Sequence, residues 1–231
     1  DAGNISIYNF EHGWCWFIPL REGVMSIGCV CFPEYLKTRR GRNEEFLRQT
    51  LQTMPEAWKR MANAEMISDV RVTGNYSYTC ERMAGPGWVM VGDAFAFVDP
   101  VFSSGVYLAM HSGKQASALV DEVLREPSRE AALQKRFADR IRRGVRVFSW
   151  FIYRFNSPAM RGLFAAPRNL WRVEDGVISM LAGDVFDNPG VMRRLHFFKA
   201  IYAISALFIL PRFLADLAHR RRQAKYAFSG G

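Results

Sequence analysis

The first thirty residues alternate between large apolar or aromatic side chains and polar ones. Residues 5–10 and 14–18 are rich in β-branched and aromatic residues, and the turn-like Glu11-His12-Gly13 separates them. This pattern predicts a β-hairpin. Residues 24–32 continue the pattern after a second turn at Arg21-Glu22-Gly23, and they predict a third strand.

The hydrophobic period changes to that of a helix between residues 43 and 61. Apolar side chains there recur every three or four positions, so one or two helices are expected. Alternation returns at residues 70–78 and predicts a further strand. The alternating positions are Val70, Val72, Tyr76 and Tyr78.

A turn and a short apolar run follow. Gly85-Pro86-Gly87 predicts the turn, and Trp88-Val89-Met90-Val91 is typical of a strand that is buried on both faces of a parallel sheet. Gly92-Asp93-Ala94 ends this predicted strand. Residues 105–125 then predict a helix with a face of small residues, which Glu126-Pro127 ends.

Beyond residue 129 the period is helical almost throughout, with predicted helices over 131–153, 169–181 and 191–224. The whole pattern predicts an α/β protein, or an α+β arrangement for the segment taken alone, with a helical C-terminal region. We expect three parts, which cover residues 1–84, 85–127 and 128–231.

Composition and charge narrow the function classes. Hydrophobic residues make up 49% of the chain, aromatic residues 14% and charged residues 23%, as in a folded globular protein. The net charge is +9, and residues 193–231 hold eight basic residues and one acidic residue, so the rest is nearly neutral. This distribution argues against nucleic-acid binding. The four histidines and four cysteines show no metal-site spacing and no disulfide framework, and a reducing cytoplasm is the expected location.

The run from Gly92 to Gly105 has the pattern of a ligand site. Gly92 lets the backbone approach a ligand, and Asp93 offers acceptors to hydroxyl groups such as those of a ribityl chain. Pro100 stiffens the approach to the next helix. The N-terminus of that helix favours an anion, either the edge of a reduced flavin or a halide. Its residues are Ser103, Ser104, Gly105 and Val106. A capped turn without a ligand is the alternative.

The whole run from residue 92 to residue 106 resembles the second FAD-binding signature of aromatic-hydroxylase-type monooxygenases, and most closely that of the flavin-dependent halogenases. The Phe, Pro, Ser and Gly of that family are spaced as Phe97, Pro100, Ser103 and Gly105 are here. A second motif, Trp14-Cys15-Trp16-Phe17-Ile18-Pro19, matches the family's Trp-x-Trp-x-Ile-Pro element at its four fixed positions. The resemblance covers residues 1–125 well and the rest loosely.

The resemblance implies an enzyme that uses reduced FAD from a separate flavin reductase, together with oxygen and chloride or bromide, to halogenate an aromatic substrate. Residues 1–84 would belong to the substrate domain, and residues 85–127 would close the FAD domain. Asp93 would bind the ribityl chain, and the amides of Ser104 and Gly105 would hold the halide. The full set implied for FAD is Gly92, Asp93, Pro100, Ser103, Ser104, Gly105 and Val106.

Four further residues are implied to separate the flavin from the substrate, namely Trp14, Trp16, Pro19 and Phe102. Tryptophan halogenases tend to have a glutamate where this chain has Phe102. The resemblance therefore favours a phenol-like or pyrrole-like substrate, either free or bound to a carrier protein.

Part of the enzyme is expected to lie outside this chain. No Gly-x-Gly-x-x-Gly follows a predicted strand, so the fingerprint that holds the ADP half of FAD is missing. The family's catalytic lysine is expected upstream of Asp1. We therefore expect a C-terminal part that binds FAD weakly or not at all and is inactive alone. The alternatives are an FAD-dependent hydroxylase or reductase of a lipid-like substrate, and a non-catalytic binding module derived from a flavoprotein.

The tail over residues 193–231 has three interpretations. Its apolar stretch over residues 197–210 is shorter than the ~20 residues of a membrane span. It could lie peripherally on a membrane surface, with Arg220-Arg221-Arg222 meeting anionic lipids. It could equally pack on an N-terminal domain or dock an acidic carrier protein.

Overall fold

The computed structural model describes residues 3–61, 63–74, 76–166 and 169–228, with side chains described as far as residue 209. The chain divides into two compact units, residues 1–74 and residues 75–231. Both mix strands and helices, as the sequence predicted. The predicted division into three parts stays a prediction.

The first unit is built on a three-stranded antiparallel sheet in the order β1-β2-β3. The strands are β1 (Ser6–Phe10), β2 (Gly13–Pro19) and β3 (Met25–Cys31). This confirms the predicted hairpin and third strand. Three helices follow, α1 (Pro33–Leu36), α2 (Asn43–Gln52) and α3 (Pro55–Met61). At the start of α2 the Glu45 carboxylate accepts the Arg42 N–H at 3.2 Å and satisfies a backbone donor there.

The alternation along β2 divides its side chains between two faces. Cys15 and Phe17 are buried in one core with residues of β1, α2 and α3. Trp14 and Trp16 project from the opposite face. The other core residues are Phe10, Leu51, Met54 and Ala57.

Cys15 and Cys29 form a disulfide across β2 and β3, where the sequence predicted none. The two residues are direct partners in the strand register, with Cα atoms 4.1 Å apart. The pair follows from the hairpin register and not from a cysteine motif, because residues 15 and 29 become neighbours only when β2 and β3 pair. Among the described cysteines, Cys31 and Cys80 are free thiols.

Two short antiparallel pairs of strands open the second unit. Strand β4 (Tyr78–Thr79) pairs with β7 (Ala96–Phe97), and β5 (Ala84–Gly85) pairs with β6 (Trp88–Val89), both antiparallel. The strand predicted over residues 70–78 is wrong except at Tyr78, since the other described residues of that stretch form no strand.

The prediction of a doubly buried parallel strand at residues 88–91 is also wrong. The turn at Pro86-Gly87 folds Trp88 back onto Gly85, and the Trp88 side chain is 40% exposed. The turn itself is confirmed, with Gly87 at φ +78° where glycine is favoured.

Helices form the rest of the second unit. They are α4 (Gly105–Arg125), α5 (Glu130–Ile152), α6 (Pro158–Ala165), α7 (Val173–Leu181) and α8 (Pro189–Phe228). The predicted helices over 105–125, 131–153 and 191–224 are confirmed, and the one predicted over 169–181 begins later, at Val173. Their core includes Phe148, Phe151, Met160, Met180 and Leu195. Among the described residues, none of the helices combines the length and apolar character that a membrane span requires.

Candidate functional site

The candidate site follows the chain from residue 92 to the first turn of α4. A 3₁₀ turn over Gly92–Ala94 leads into β7, and a second 3₁₀ turn over Pro100–Phe102 leads into the helix. The residues predicted to bind FAD thus lie on these two turns and at the N-terminus of α4.

Gly92 is held against α4 by a side chain that the sequence analysis missed. Its N–H donates to Ser112 Oγ at 2.9 Å, and Ser112 in turn donates to the Leu108 carbonyl at 2.7 Å. Gly92 has φ +52°, and a Cβ added there would lie 2.9 Å from Ala109 Cβ. Only glycine satisfies both conditions without strain, so this turn approaches the helix closely.

The second turn is capped by Asp99, which was also not among the predicted site residues. Asp99 Oδ1 accepts the Val101 N–H at 3.1 Å, and the Tyr76 hydroxyl donates to Oδ2 at 3.2 Å. Burial raises the pKa of Asp99, and these two hydrogen bonds oppose that shift. The hydroxyl of Tyr78 donates to the Asp93 carbonyl at 2.6 Å, so the strand region before the site ties down both turns. The Asp-Pro pair before a helix is the sequence signal that could have identified this cap.

The N-terminus of α4 concentrates hydrogen-bond donors. Ser103 adopts a left-handed conformation at φ +51°, which aims the chain into the helix. The first amide bonded to a carbonyl here is that of Leu108, which donates to Ser104 at 3.0 Å. Within the described part of the chain, the preceding amides of Gly105, Val106 and Tyr107 have no acceptor.

The hydroxyl of Ser104 strengthens this picture. Ser104 is 5% exposed, and its Oγ has no hydrogen-bond partner among the described residues. A Cβ added at the neighbouring Gly105 would meet no atom within 4 Å. A buried orphaned hydroxyl beside unpaired amides and open space fits a small anion or the electron-rich edge of a reduced flavin. Asp93 is exposed and can accept hydroxyl donors.

Phe102 packs in an aromatic cluster directly before the donor array. Its ring lies 5.3 Å from that of Phe155 in an edge-on arrangement and 6.4 Å from that of Phe164 in a stacked one. Phe155 and Phe164 come from the segment after α5 and from α6, so sequence spacing did not place them here. Phe102, Phe155 and Phe164 are called the aromatic cluster below.

Trp14 and Trp16 belong to the first unit, with ring centroids 5.9 Å apart. Trp14 is 3% exposed, and the Trp16 indole covers Gly28, where a Cβ would lie within contact of the ring. Trp16 Nε1 also donates to Ser26 Oγ at 3.3 Å, which fixes the ring. Pro19 ends β2 opposite Met25. The predicted gating residues are thus divided, with Phe102 in one unit and the other three in the other.

No group of histidine, cysteine and acidic side chains that could hold a metal ion occurs among the described residues. The unpaired donors at the start of α4 fit the binding of an anion or of a flavin edge.

Comparisons with known proteins point to one family. The family model described as tryptophan halogenase matches residues 6–161, more than half of the chain. The tryptophan 2-halogenase of Chondromyces crocatus is 38% identical over 125 residues, which are 53% of this chain and 24% of that protein. The 1H-pyrrole-2-carbonyl-(peptidyl-carrier protein) chlorinase of Pseudomonas fluorescens is 29% identical over 176 residues, or 75% of this chain and 38% of that one.

Solved structures give the same result for the fold. The flavin-dependent brominase Bmp2 superimposes with a TM-score of 0.67 at 26% identity, covering 87% of this chain and 50% of that one. The chain therefore spans half or less of the length of these proteins.

Proposed function

The chain belongs to the tryptophan halogenase family of flavin-dependent halogenases, and from this premise we propose that it is the C-terminal part of an FAD-dependent halogenase. The full enzyme would use reduced FAD, oxygen and chloride or bromide to modify an aromatic substrate. The rest of the FAD site and the catalytic lysine would lie in a preceding segment, so the chain alone is expected to be inactive.

The donor array at the start of α4 carries this proposal. The Ser104 hydroxyl and the amides of Gly105 and Val106 present positive ends of dipoles at one place, with no protein acceptor among the described residues. Such an array stabilises a halide or the pyrimidine edge of a reduced flavin. The first amides of a helix are satisfied by side chains, water or a ligand, and the burial of the Ser104 hydroxyl favours a ligand at this one.

Bound reduced FAD would supply two electrons to oxygen, and the oxygen reduced in this way would take two more electrons from the halide. The residues of this chain would hold and separate the reactants. Asp93 would accept hydroxyl groups of the ribityl chain, and the amides of Ser104 and Gly105 would hold the halide. Trp14 and Trp16, with Pro19, would form a wall that excludes water and keeps the substrate away from the flavin.

The substrate is proposed to be a phenol-like or pyrrole-like aromatic compound. The aromatic cluster supports this because Phe102 offers an apolar surface beside the donor array. A carrier-bound substrate is consistent with the pyrrolyl-carrier chlorinase among the relatives.

Two partners follow from the proposal. A separate flavin reductase would supply reduced FAD. The tail would contact an anionic membrane surface, a further domain or an acidic carrier protein. Sedimentation with anionic liposomes, with and without residues 193–231, tests the membrane case, and equal binding removes it.

The test is turnover of the full-length protein with reduced FAD, oxygen and bromide or chloride, against free and carrier-bound phenols and pyrroles. Mass spectrometry is expected to find the halogen isotope pattern in the product. Hydroxylated or reduced products alone would establish the hydroxylase or reductase alternative, and no turnover with any acceptor would favour the binding module.

Two variants test the residue roles. Ser104→Ala removes one donor to an anion, which is worth ~1.5–3 kcal/mol, so the KM for halide should rise by about tenfold or more. Gly113→Ala, which lies in the middle of α4 with no atom within 4 Å of the added Cβ, is the matched control. Replacing Trp14 and Trp16 by alanine should raise the ratio of hydroxylated to halogenated product, and an unchanged ratio counts against the wall.

A further inference from the structure

A cluster of two cations and one indole lies where α5 ends and α8 passes. The Arg154 guanidinium carbon is 4.6 Å from the centroid of the Trp150 ring, and Lys199 Nζ is 5.0 Å from the same centroid. Tyr202 meets this indole edge-on at 5.2 Å, and its hydroxyl donates to Ser157 Oγ at 3.2 Å. Two positive charges thus share a single aromatic ring, with two hydroxyl groups nearby.

This pair of cations has no counter-charge in the described structure. Neither Arg154 nor Lys199 takes part in an ion pair with a described residue, although Arg154 donates to the Trp150 carbonyl at 3.1 Å. The two segments that carry these cations also offer no acidic partner of their own. Residues 140–173 contain eight arginines and no acidic residue, and residues 189–209 of α8 contain no acidic residue either.

The surroundings of Lys199 destabilise its charge. Burial, and then the positive charge of Arg154, lower the pKa of the Lys199 ammonium. Contact with the indole compensates a cation only partly. A half-buried pair of like charges is costly unless an anion joins it, and guanidinium and ammonium groups are the usual protein ligands of carboxylates and phosphates.

The pair of cations is linked along the chain to the aromatic cluster, which is the proposed substrate region. Phe155 follows Arg154 in the chain and belongs to the aromatic cluster through its 5.3 Å contact with Phe102. A ligand whose aromatic ring lies on the aromatic cluster could therefore place an anionic group towards the two cations.

We propose that Arg154 and Lys199 form a binding site for one oxyanion, a carboxylate or a phosphate ester, which the aromatic substrate or the arm of its carrier protein bears. This inference rests on the proposed function for the role of the ligand, although the binding itself can be measured without turnover. A carboxylate would come from a free aromatic acid, and a phosphate ester would come from a phosphopantetheine arm.

The experiment is isothermal titration calorimetry of the chain at low salt with two matched pairs of probes. Benzoate is compared with neutral benzamide, and 4′-phosphopantetheine with neutral pantetheine. At least one anionic probe should bind about tenfold or more tightly than its neutral analogue, and the pair that shows the difference identifies the source of the oxyanion. Equal affinity within both pairs overturns the proposal, whatever the variants do.

Three variants localise the binding. Lys199→Met keeps most of the length of the side chain but removes its charge, and it should abolish the preference for the anion, whereas Lys199→Arg should keep it. Arg143→Gln removes an exposed charge elsewhere on α5 and should leave it unchanged. If Arg143→Gln weakens the anion as much as Lys199→Met does, the effect is general attraction to a basic surface, and the site is refuted. Anion binding without halogenation would refute the proposed function alone, and halogenation without anion binding would refute this site alone.

Discussion

Replacing Gly92 by alanine is the most direct test of how the candidate site is built. The substitution adds one methyl group at a position where the backbone has φ +52° and where the new Cβ would lie 2.9 Å from Ala109 Cβ and 3.2 Å from Ala109 Cα. It changes neither charge nor hydrogen-bonding capacity. Any loss of stability therefore reports the backbone conformation and the close approach of the turn to α4.

Two terms contribute to the expected loss. A left-handed conformation costs an ordinary residue about 1–2 kcal/mol relative to glycine. Overpacking a tight contact costs about 1–3 kcal/mol. The free energy of unfolding should therefore fall by about 2–5 kcal/mol, a large fraction of the ~5–15 kcal/mol by which domains are stable.

Urea denaturation followed by circular dichroism measures this loss, and Gly113→Ala is the matched control. Gly113 also lies on α4, but its added Cβ would meet no atom within 4 Å, so the better helix propensity of alanine should stabilise the chain by about 1 kcal/mol. The same chemical change should thus have opposite signs at the two positions.

A double variant separates the two terms. Ala109→Gly removes the methyl group that the new Cβ at position 92 would strike, so combining it with Gly92→Ala should recover part of the loss with a coupling of about 1–3 kcal/mol. Strict additivity would show that the two positions do not touch. Stability equal to that of the original chain in Gly92→Ala alone would refute both the turn conformation and the close contact.

Three further outcomes follow from features outside the donor array. Reducing the Cys15–Cys29 disulfide opens a loop that spans a separation of 14 residues and should lower the free energy of unfolding by about 3 kcal/mol; an unchanged urea midpoint with reductant would contradict it. Burial raises the pKa of the Cys31 thiol to about 11, so alkylation of the native chain, followed by peptide mass spectrometry, should be slow at pH 8 and accelerate towards pH 11. The stability from that neutral thiol is present below its ordinary pKa of 9.0 and is lost as the pH rises through 11, so rapid labelling at pH 8 would refute its burial. Asp99→Ala leaves the Val101 N–H without its acceptor and should cost about 1 kcal/mol in the same denaturation assay, whereas Asp99→Asn should keep most of the stability.

Strong local patterns were enough to predict the elements that pair or pack with their neighbours in sequence. The strands over residues 5–32 alternate regularly and are joined by short turns, and β1, β2 and β3 form where expected. The same regular pairing also specifies the disulfide. Partners in β2 and β3 are placed symmetrically about Glu22, so a hairpin centred there puts position 15 opposite position 29.

The wrong predictions concern strands, because a local pattern does not specify which strand lies beside it. Val72 belongs to an alternating stretch, but it is 53% exposed and has no strand beside it in the described structure. Trp88 and Val89 are apolar, but the preceding turn pairs them with the nearest strand. A high strand propensity shows that a segment suits a half-buried sheet, but it does not specify which strand pairs with it.

The candidate site was predictable as a run of residues, because Gly92, Asp93 and the start of α4 are contiguous in sequence. Its supports were not predictable. Ser112 accepts the Gly92 N–H from a position one helical turn after Ala109, which Gly92 approaches on α4. Phe155 contacts Phe102 from the segment that follows α5. Such contacts depend on how the helices are packed, which no spacing along the chain records.

The buried hydroxyl of Ser104 lowers the stability of the ligand-free protein. An unsatisfied buried polar group destabilises a fold by about 1–3 kcal/mol, so the site that we propose for an anion is a weak point of the ligand-free protein. Ser104→Ala should therefore raise the free energy of unfolding and weaken the binding of the anion. This is the trade-off expected where selection has favoured activity over stability. Halide or flavin in the growth medium or storage buffer should extend the protein's shelf life, because ligand binding withdraws this penalty from the native state.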